Sequence, residues 1–190
     1  MKIIGFIYNA LRSERINELT SERPWEVVLK ADSCLLNGRK PLFMPEWTQE
    51  LGVTECMILR VSRLGKEIAP KFASRYYDAI APGADFIALD VARAVQKSGR
   101  PWTQALDFDY SLAIGEFLPT PSPSLKGREF EGEELLLSPE EAVAEASKLM
   151  TIRQGDLIYI QRRQAPRTVH KEDVIRTEIN GEEKLYCKIK

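Results

Sequence analysis

Five short runs rich in β-branched and aromatic residues, MKIIGFIY, WEVVLKA, ECMILRV, SLAIGEFL and DLIYIQ, are spread along a chain of 190 residues. Each is bounded by turn formers, which is the pattern of strands rather than of buried helices. A chain with this many strands has to pair them, so the expected architecture is mixed α/β, dominated by sheet, with a few peripheral helices. One pairing is fixed locally. VIRTEINGEEKLYCKI places Asn180-Gly181 between two alternating runs, and that dipeptide supplies the positive φ angles of a type I′ hairpin.

Helix signals are fewer. In SPEEAVAEASKLM, Ser138 stands at the N-cap, Pro139 at the first helical position and Glu141 three residues after the cap, a capping box that predicts a helix from about 139 to 150. FIALDVARAVQKSG puts Ala88, Val91, Ala92 and Val95 on one face and Gly99 where a C-cap would stop the helix. A third helix is expected in PKFASRYYDAI, beginning after Pro70 and ending before Pro82-Gly83. Between Pro119 and Gly132, TPSPSLKGREFEG is polar and rich in Pro and Gly, as befits a surface excursion or mobile loop. With 44% hydrophobic residues, the chain has material for one buried core, so residues 1–190 are read as one domain.

Charge excludes some partners. Lys plus Arg number 27 against 28 Asp plus Glu, and the cations are scattered, so neither nucleic acid nor another polyanion is expected. No window approaches a membrane span, and the N-terminal run is broken by Asn9 and Arg12 without a signal-peptide cleavage site; a soluble, cytoplasmic chain is expected. Cys34, Cys56 and Cys187 form no CxxC pair, and their odd number argues against a disulfide framework.

Few residues declare chemistry by themselves. His170, the single histidine, lies among charged residues in APRTVHKED, where a solvated side chain is the simplest reading. QRRQAPR could hold an anionic group or be plain wet surface. Cys56 inside an apolar strand reads as a small buried hydrophobe. Asp85 and Asp90 fall near the start of a helix, where an acid favours the macrodipole.

The order of segments is more specific. KADSCLLNGRKPLFMPEW, TECMILRVSRLGKEI, KFASRYYDAIAPGADFIALD, GRPWTQALDFDYSLAIGEF and GDLIYIQ, followed by the hairpin, resemble the fumarylacetoacetate hydrolase family from about residue 25 to the C-terminus. The resemblance implies a mixed β-roll, a homodimer, and Mg²⁺ or Mn²⁺ at the mouth of the sheet. Family members cleave, isomerise or decarboxylate 2-oxo acids and acylpyruvates, the metal holding the 2-oxo acid oxygens and stabilising the enolate. Three carboxylates hold that metal, two from a Glu-x-Glu strand and one from an aspartate before a helix.

Against this pattern the chain has lost groups. The two glutamate positions fall on Thr54 and Cys56, and Glu55 between them should point to the opposite face of its strand. Asp85 survives as the third ligand. The family's arginine and glutamine become Leu89 and Ala92, and the lysine before the Phe-Asp pair becomes Leu106. QRRQAPR stands where a glycine- and threonine-containing turn lets backbone approach a substrate carboxylate. The NYA-type run is matched loosely by IYNA, and Arg12 or a neighbour lies where a histidine is expected.

Losses of metal, cation, carboxylate cradle and histidine together imply a noncatalytic family member that binds a ligand, such as a small anion, or a partner, with no cofactor. An alternative is a divergent hydrolase, isomerase or decarboxylase dependent on Mg or Mn, for which Asp85, Glu55, Asp107 and Asp109 must assemble a new site. A third is a subunit that pairs with an active paralogue.

Overall fold

A computed structural model describes residues 1–8 and 25–190. The first half holds β1 (Ile3–Tyr8), β2 (Trp25–Lys30), β3 (Leu35–Asn37), β4 (Leu51–Val61), α1 (Pro70–Ala73), β5 (Tyr77–Ala88), α2 (Leu89–Ser98) and α3 (Thr103–Leu106). After these come β6 (Leu112–Ile114), β7 (Leu118–Pro119), β8 (Leu125–Lys126), β9 (Glu129–Phe130), β10 (Glu133–Glu134), α4 (Pro139–Leu149), β11 (Leu157–Gln161), β12 (Arg167–Val169), β13 (Val174–Ile179) and β14 (Glu182–Lys188).

Nine strands form one mixed sheet in the order β2-β1-β11-β4-β5-β6-β3, with β12 added to β4 and β7 to β5. The pairs β1 with β11 and β3 with β6 are parallel, and the others antiparallel. Because side chains alternate along each strand, the sheet has two apolar faces. Ile4, Phe6, Met57, Leu59, Ile158 and Ile160 pack on one face against Ala142, Val143 and Ala146 of α4. Ile3, Ile7, Ile58 and Leu157 pack on the other against Leu89 and Ala92 of α2 and Leu106 of α3. The β13–β14 hairpin closes a third cluster over Leu51, Val53 and Phe86.

The locally coded elements form as predicted. Ser138 Oγ accepts from the Glu141 N–H, and Glu141 Oε2 accepts from the Ser138 N–H at 2.8 Å, completing the capping box. Asn180 and Gly181 adopt φ of 54° and 78° between β13 and β14. Gly99 caps α2 in the left-handed region.

Four expectations are corrected. The helix expected through PKFASRYYDAI is a single turn, α1, and from Tyr77 the chain is a 12-residue strand. Nearly every residue of β5 is buried, so it offers no alternation to read, and its alanines mimic a helix. Ladders with β4 along its length and with β6 and β7 fix it as strand. Pro82 is tolerated inside it because its carbonyl accepts from the Gly115 N–H, so its missing donor faces the break between β6 and β7. In consequence Asp85 lies inside a strand, and α2 starts only at Leu89. SLAIGEFL divides into β6 and β7 around that break. The 119–132 excursion folds into the small β8–β10 sheet and buries Phe130 in the core.

One close contact makes room for a buried aromatic ring. Gly5 of β1 lies beside Tyr159 of β11, and a Cβ on it would come within 2.1 Å of Tyr159 Cζ. Gly5→Ala should therefore cost about 1–3 kcal/mol in urea denaturation. The loss should shrink in a Tyr159→Leu background; an equal loss in both backgrounds would place the clash elsewhere.

Candidate functional site

The face of the sheet that carries α2 and α3 also carries a polar cluster. Ladder register puts Thr54 opposite Asp85, Cys56 opposite Gln161 and Lys30 opposite Ile3. Lys30, Thr54, Asp85 and Gln161 are all buried. The Lys30 ammonium lies 3.1 Å from Asp85 Oδ1 and donates to Ser111 Oγ at 2.9 Å and to the Leu106 carbonyl. An ammonium has three N–H donors and no lone pair, and here each donor has an oxygen to face.

The other carboxylate oxygen is also engaged. Gln161 Nε2 donates to Asp85 Oδ2 at 2.8 Å, while its Oε1 accepts from the Tyr8 N–H at 2.7 Å. The Tyr159 hydroxyl stands beside the carboxylate without the alignment of a full hydrogen bond, and Thr54 Oγ1 has no partner among the described residues. Burial pushes the Asp85 carboxyl above its ordinary pKa, and Lys30, Gln161 and Tyr159 each pull it back. Burial likewise raises the Tyr159 hydroxyl and the Cys56 thiol, and the neighbouring Asp85 charge adds to both shifts.

The structure separates the other predicted residues. Glu55 points to the opposite face, as the alternation requires, and pairs with Arg162. Arg163 pairs with Glu134 at 3.5 Å, so two arginines of QRRQAPR already have carboxylate partners. Asp107 Oδ1 accepts from the Ala31 N–H at 2.9 Å and the Cys34 thiol at 2.8 Å, and Asp109 is exposed. Asp90 sits in the first turn of α2 and accepts from Thr48 Oγ1 and the Gln49 N–H. His170 is exposed beside Asp173. Asn9, Ala10 and Arg12 lie outside the described residues. Among the described residues, no three His, Cys, Asp or Glu side chains come together as a metal would need.

Leu106, at the position where the resemblance implies a lysine, is buried, and its carbonyl accepts from the ammonium of Lys30, which comes from a different strand. Lys30 and Gln161 are the residues that sequence reasoning missed. The sequence did hold a signal for Lys30: it follows Val28 by two positions in WEVVLK, hence shares its face, and a lysine on an inward face needs a partner.

A cavity of about 770 Å³ opens on this face. Val28, Ile87, Leu89, Trp102 and Leu106 form apolar walls, and Gln161 is a polar side chain in the lining that also touches Asp85. Arg93, which pairs with Glu50, and Arg100 also line it. No helix among the described residues is long and apolar enough to cross a membrane.

The mixed, sheet-dominated β-roll is the fumarylacetoacetate hydrolase fold. Residues 2–190 match the family described as fumarylacetoacetate (FAA) hydrolase, C-terminal, and the chain belongs to that family. It is 26% identical over 184 residues to mitochondrial oxaloacetate tautomerase of Bos taurus, covering 89% of this chain and 83% of that protein. Its fold is similar to fumarylpyruvate hydrolase from Pseudomonas aeruginosa, solved with Mn²⁺ and pyruvate, at a TM-score of 0.74 and 19% identity, over 99% of this chain and 88% of that one. It is also similar to 5-carboxymethyl-2-hydroxymuconate delta-isomerase from Mycobacterium smegmatis, at a TM-score of 0.78 and 18% identity, over 99% of this chain and 78% of that one.

The cysteines give a direct check on this packing. Burial lifts Cys34 to about 11, helped by its hydrogen bond to Asp107, and lifts Cys187 to about 11 as well. A raised thiol pKa means a neutral, unreactive thiol, so at pH 8 roughly one in a thousand of either is ionised. A chromogenic disulfide reagent at pH 8 should label the native protein slowly and all three cysteines at once in guanidinium. Rapid labelling of the native protein would contradict the buried placement.

Proposed function

We propose that this chain is a metal-independent member of the fumarylacetoacetate hydrolase family, which binds a small ligand in the cavity beside Asp85 and lacks the parental chemistry on 2-oxo acids. The observation that carries this reading is the state of Asp85. Both of its oxygens are engaged, by Lys30 and by Gln161. The positions at which a metal would need two further carboxylates hold Thr54 and Cys56.

A bound Mg²⁺ or Mn²⁺ would supply Lewis-acid stabilisation of an enolate. These residues do not fit such an ion. Hard divalent cations need several oxygen ligands, and a hydroxyl and a neutral thiol beside one neutralised carboxylate are a poor set. Glu55 cannot assist while it points to the other face and pairs with Arg162. The cavity walls are mostly apolar, with Gln161, Gln96, Thr168, Arg100, Glu26 and the Arg93–Glu50 pair as polar features that a ligand would meet. That combination suits a small molecule with a hydrocarbon body and one polar end, for which Arg100 is a candidate cationic contact. The expected homodimer rests on the family resemblance, and sedimentation velocity would read it.

A second reading, a divergent metal-dependent enzyme acting on a 2-oxo acid, is favoured by the names of the relatives, oxaloacetate tautomerase among them. Calorimetric titration of chelator-treated protein with Mn²⁺ and Mg²⁺, beside Asp85→Ala, separates the two, together with assays of oxaloacetate tautomerisation and acylpyruvate hydrolysis. The metal-independent reading expects no binding up to millimolar metal and no metal-dependent rate. Micromolar binding that disappears in Asp85→Ala, accompanied by turnover, would establish the second reading instead.

A further inference from the structure

The contacts of Lys30 form more than an ion pair. Asp85 Oδ1 comes from β5, the Leu106 carbonyl from the end of α3, and Ser111 Oγ from the residue before β6. All three residues are buried, and the Lys30 side chain is fully so. Ser111 Oγ also donates to the Leu106 carbonyl at 3.1 Å, which turns its lone pairs toward the ammonium. Gln161, held by the Tyr8 N–H, fixes the carboxylate from its far side. The result is a cation site made of one charged and two neutral oxygens, matched in number to the donors of an ammonium.

We infer that this oxygen cage is an ammonium-binding site whose ligand is the chain's own Lys30, and that truncating Lys30 leaves a site for a free small alkylammonium ion. The inference rests on the reading that no divalent ion competes for Asp85. It has two consequences. Lys30, held as an ammonium by its ion pair with Asp85 and two hydrogen bonds, has no lone pair for a Schiff base or for proton abstraction, so it is a positioning residue. It also ties β2, which among the described residues pairs with β1 alone, across the face to β5, α3 and the residue before β6.

The test combines a mutant cycle with chemical rescue. Lys30→Ala should lower the melting temperature by on the order of 10 °C, because Asp85 is left as an unpaired buried charge. The double variant Lys30→Met with Asp85→Asn, which removes both charges, should recover most of that loss. Ethylammonium chloride at tens of millimolar should raise the melting temperature of Lys30→Ala beyond the effect of equal NaCl, and should do nothing for the double variant. Where Lys30→Ala does not melt cooperatively, its refolding yield with and without ethylammonium gives the same reading. The inference is overturned by single losses that add up in the double variant, or by an amine effect no greater than that of NaCl. Stabilisation of the wild-type protein by Mn²⁺ would instead sink the metal-independent reading, a separate and distinguishable result.

Discussion

A carboxylate at the centre of a sheet, cut off from water, must be answered by charge and hydrogen bonds or take up a proton. Asp85 is that carboxylate here, and much of the site's architecture comes from answering it. Lys30 supplies the charge from the edge strand β2. Gln161 supplies a hydrogen bond from β11 and is itself held by the backbone of β1. The Leu106 carbonyl and Ser111 then complete the ammonium's shell. One buried charge thereby couples β1, β2, β5, β11 and the α3–β6 connection, because each partner placed in the interior needs partners of its own.

The two faces of the sheet divide the labour. Odd and even positions of β4 send Glu55 one way and Thr54 and Cys56 the other, so the Glu55 carboxylate is on the face opposite Asp85. On its own side Glu55 satisfies Arg162, whose N–H also bonds the Glu55 carbonyl at 3.0 Å. The same alternation gathers Lys30, Tyr159 and Gln161 on the face of the cavity, with Gly5 leaving room for the Tyr159 ring. A site on a sheet is thus set by parity, and a single-residue displacement changes its chemistry completely.

What was legible in the sequence was what is coded over a few residues. Ser138, Pro139 and Glu141 fix a helix start by contacts within one turn, and Asn180-Gly181 fixes a hairpin by backbone conformation alone. β5 was misread because its identity comes from neighbours on both edges, and a strand buried on both faces shows no period. Lys30 and Asp85 belong to strands far apart along the chain, and no local rule joins residues so separated. The resemblance implies a lysine where Leu106 stands, but the use of the Leu106 carbonyl by Lys30 could not be foreseen, since a backbone acceptor has no signature in sequence.

Electrostatics also links the ion pair to the cavity beside it. Catalysis of enolate formation needs a positive centre held ready for charge that develops only in the transition state. On the metal-independent reading proposed above, the Lys30 ammonium faces a carboxylate already in the ground state, and the Leu106 side chain adds no cation beside it. The cavity offers apolar surface, charged residues at Arg93, Arg100, Glu26 and Glu50, and the Gln161 amide, which donates to Asp85. A ligand that perturbs Gln161 must therefore perturb the hydrogen bond that completes Asp85. If the cavity binds the ligand proposed above, its occupancy and the stability of the sheet's polar centre are linked through Gln161.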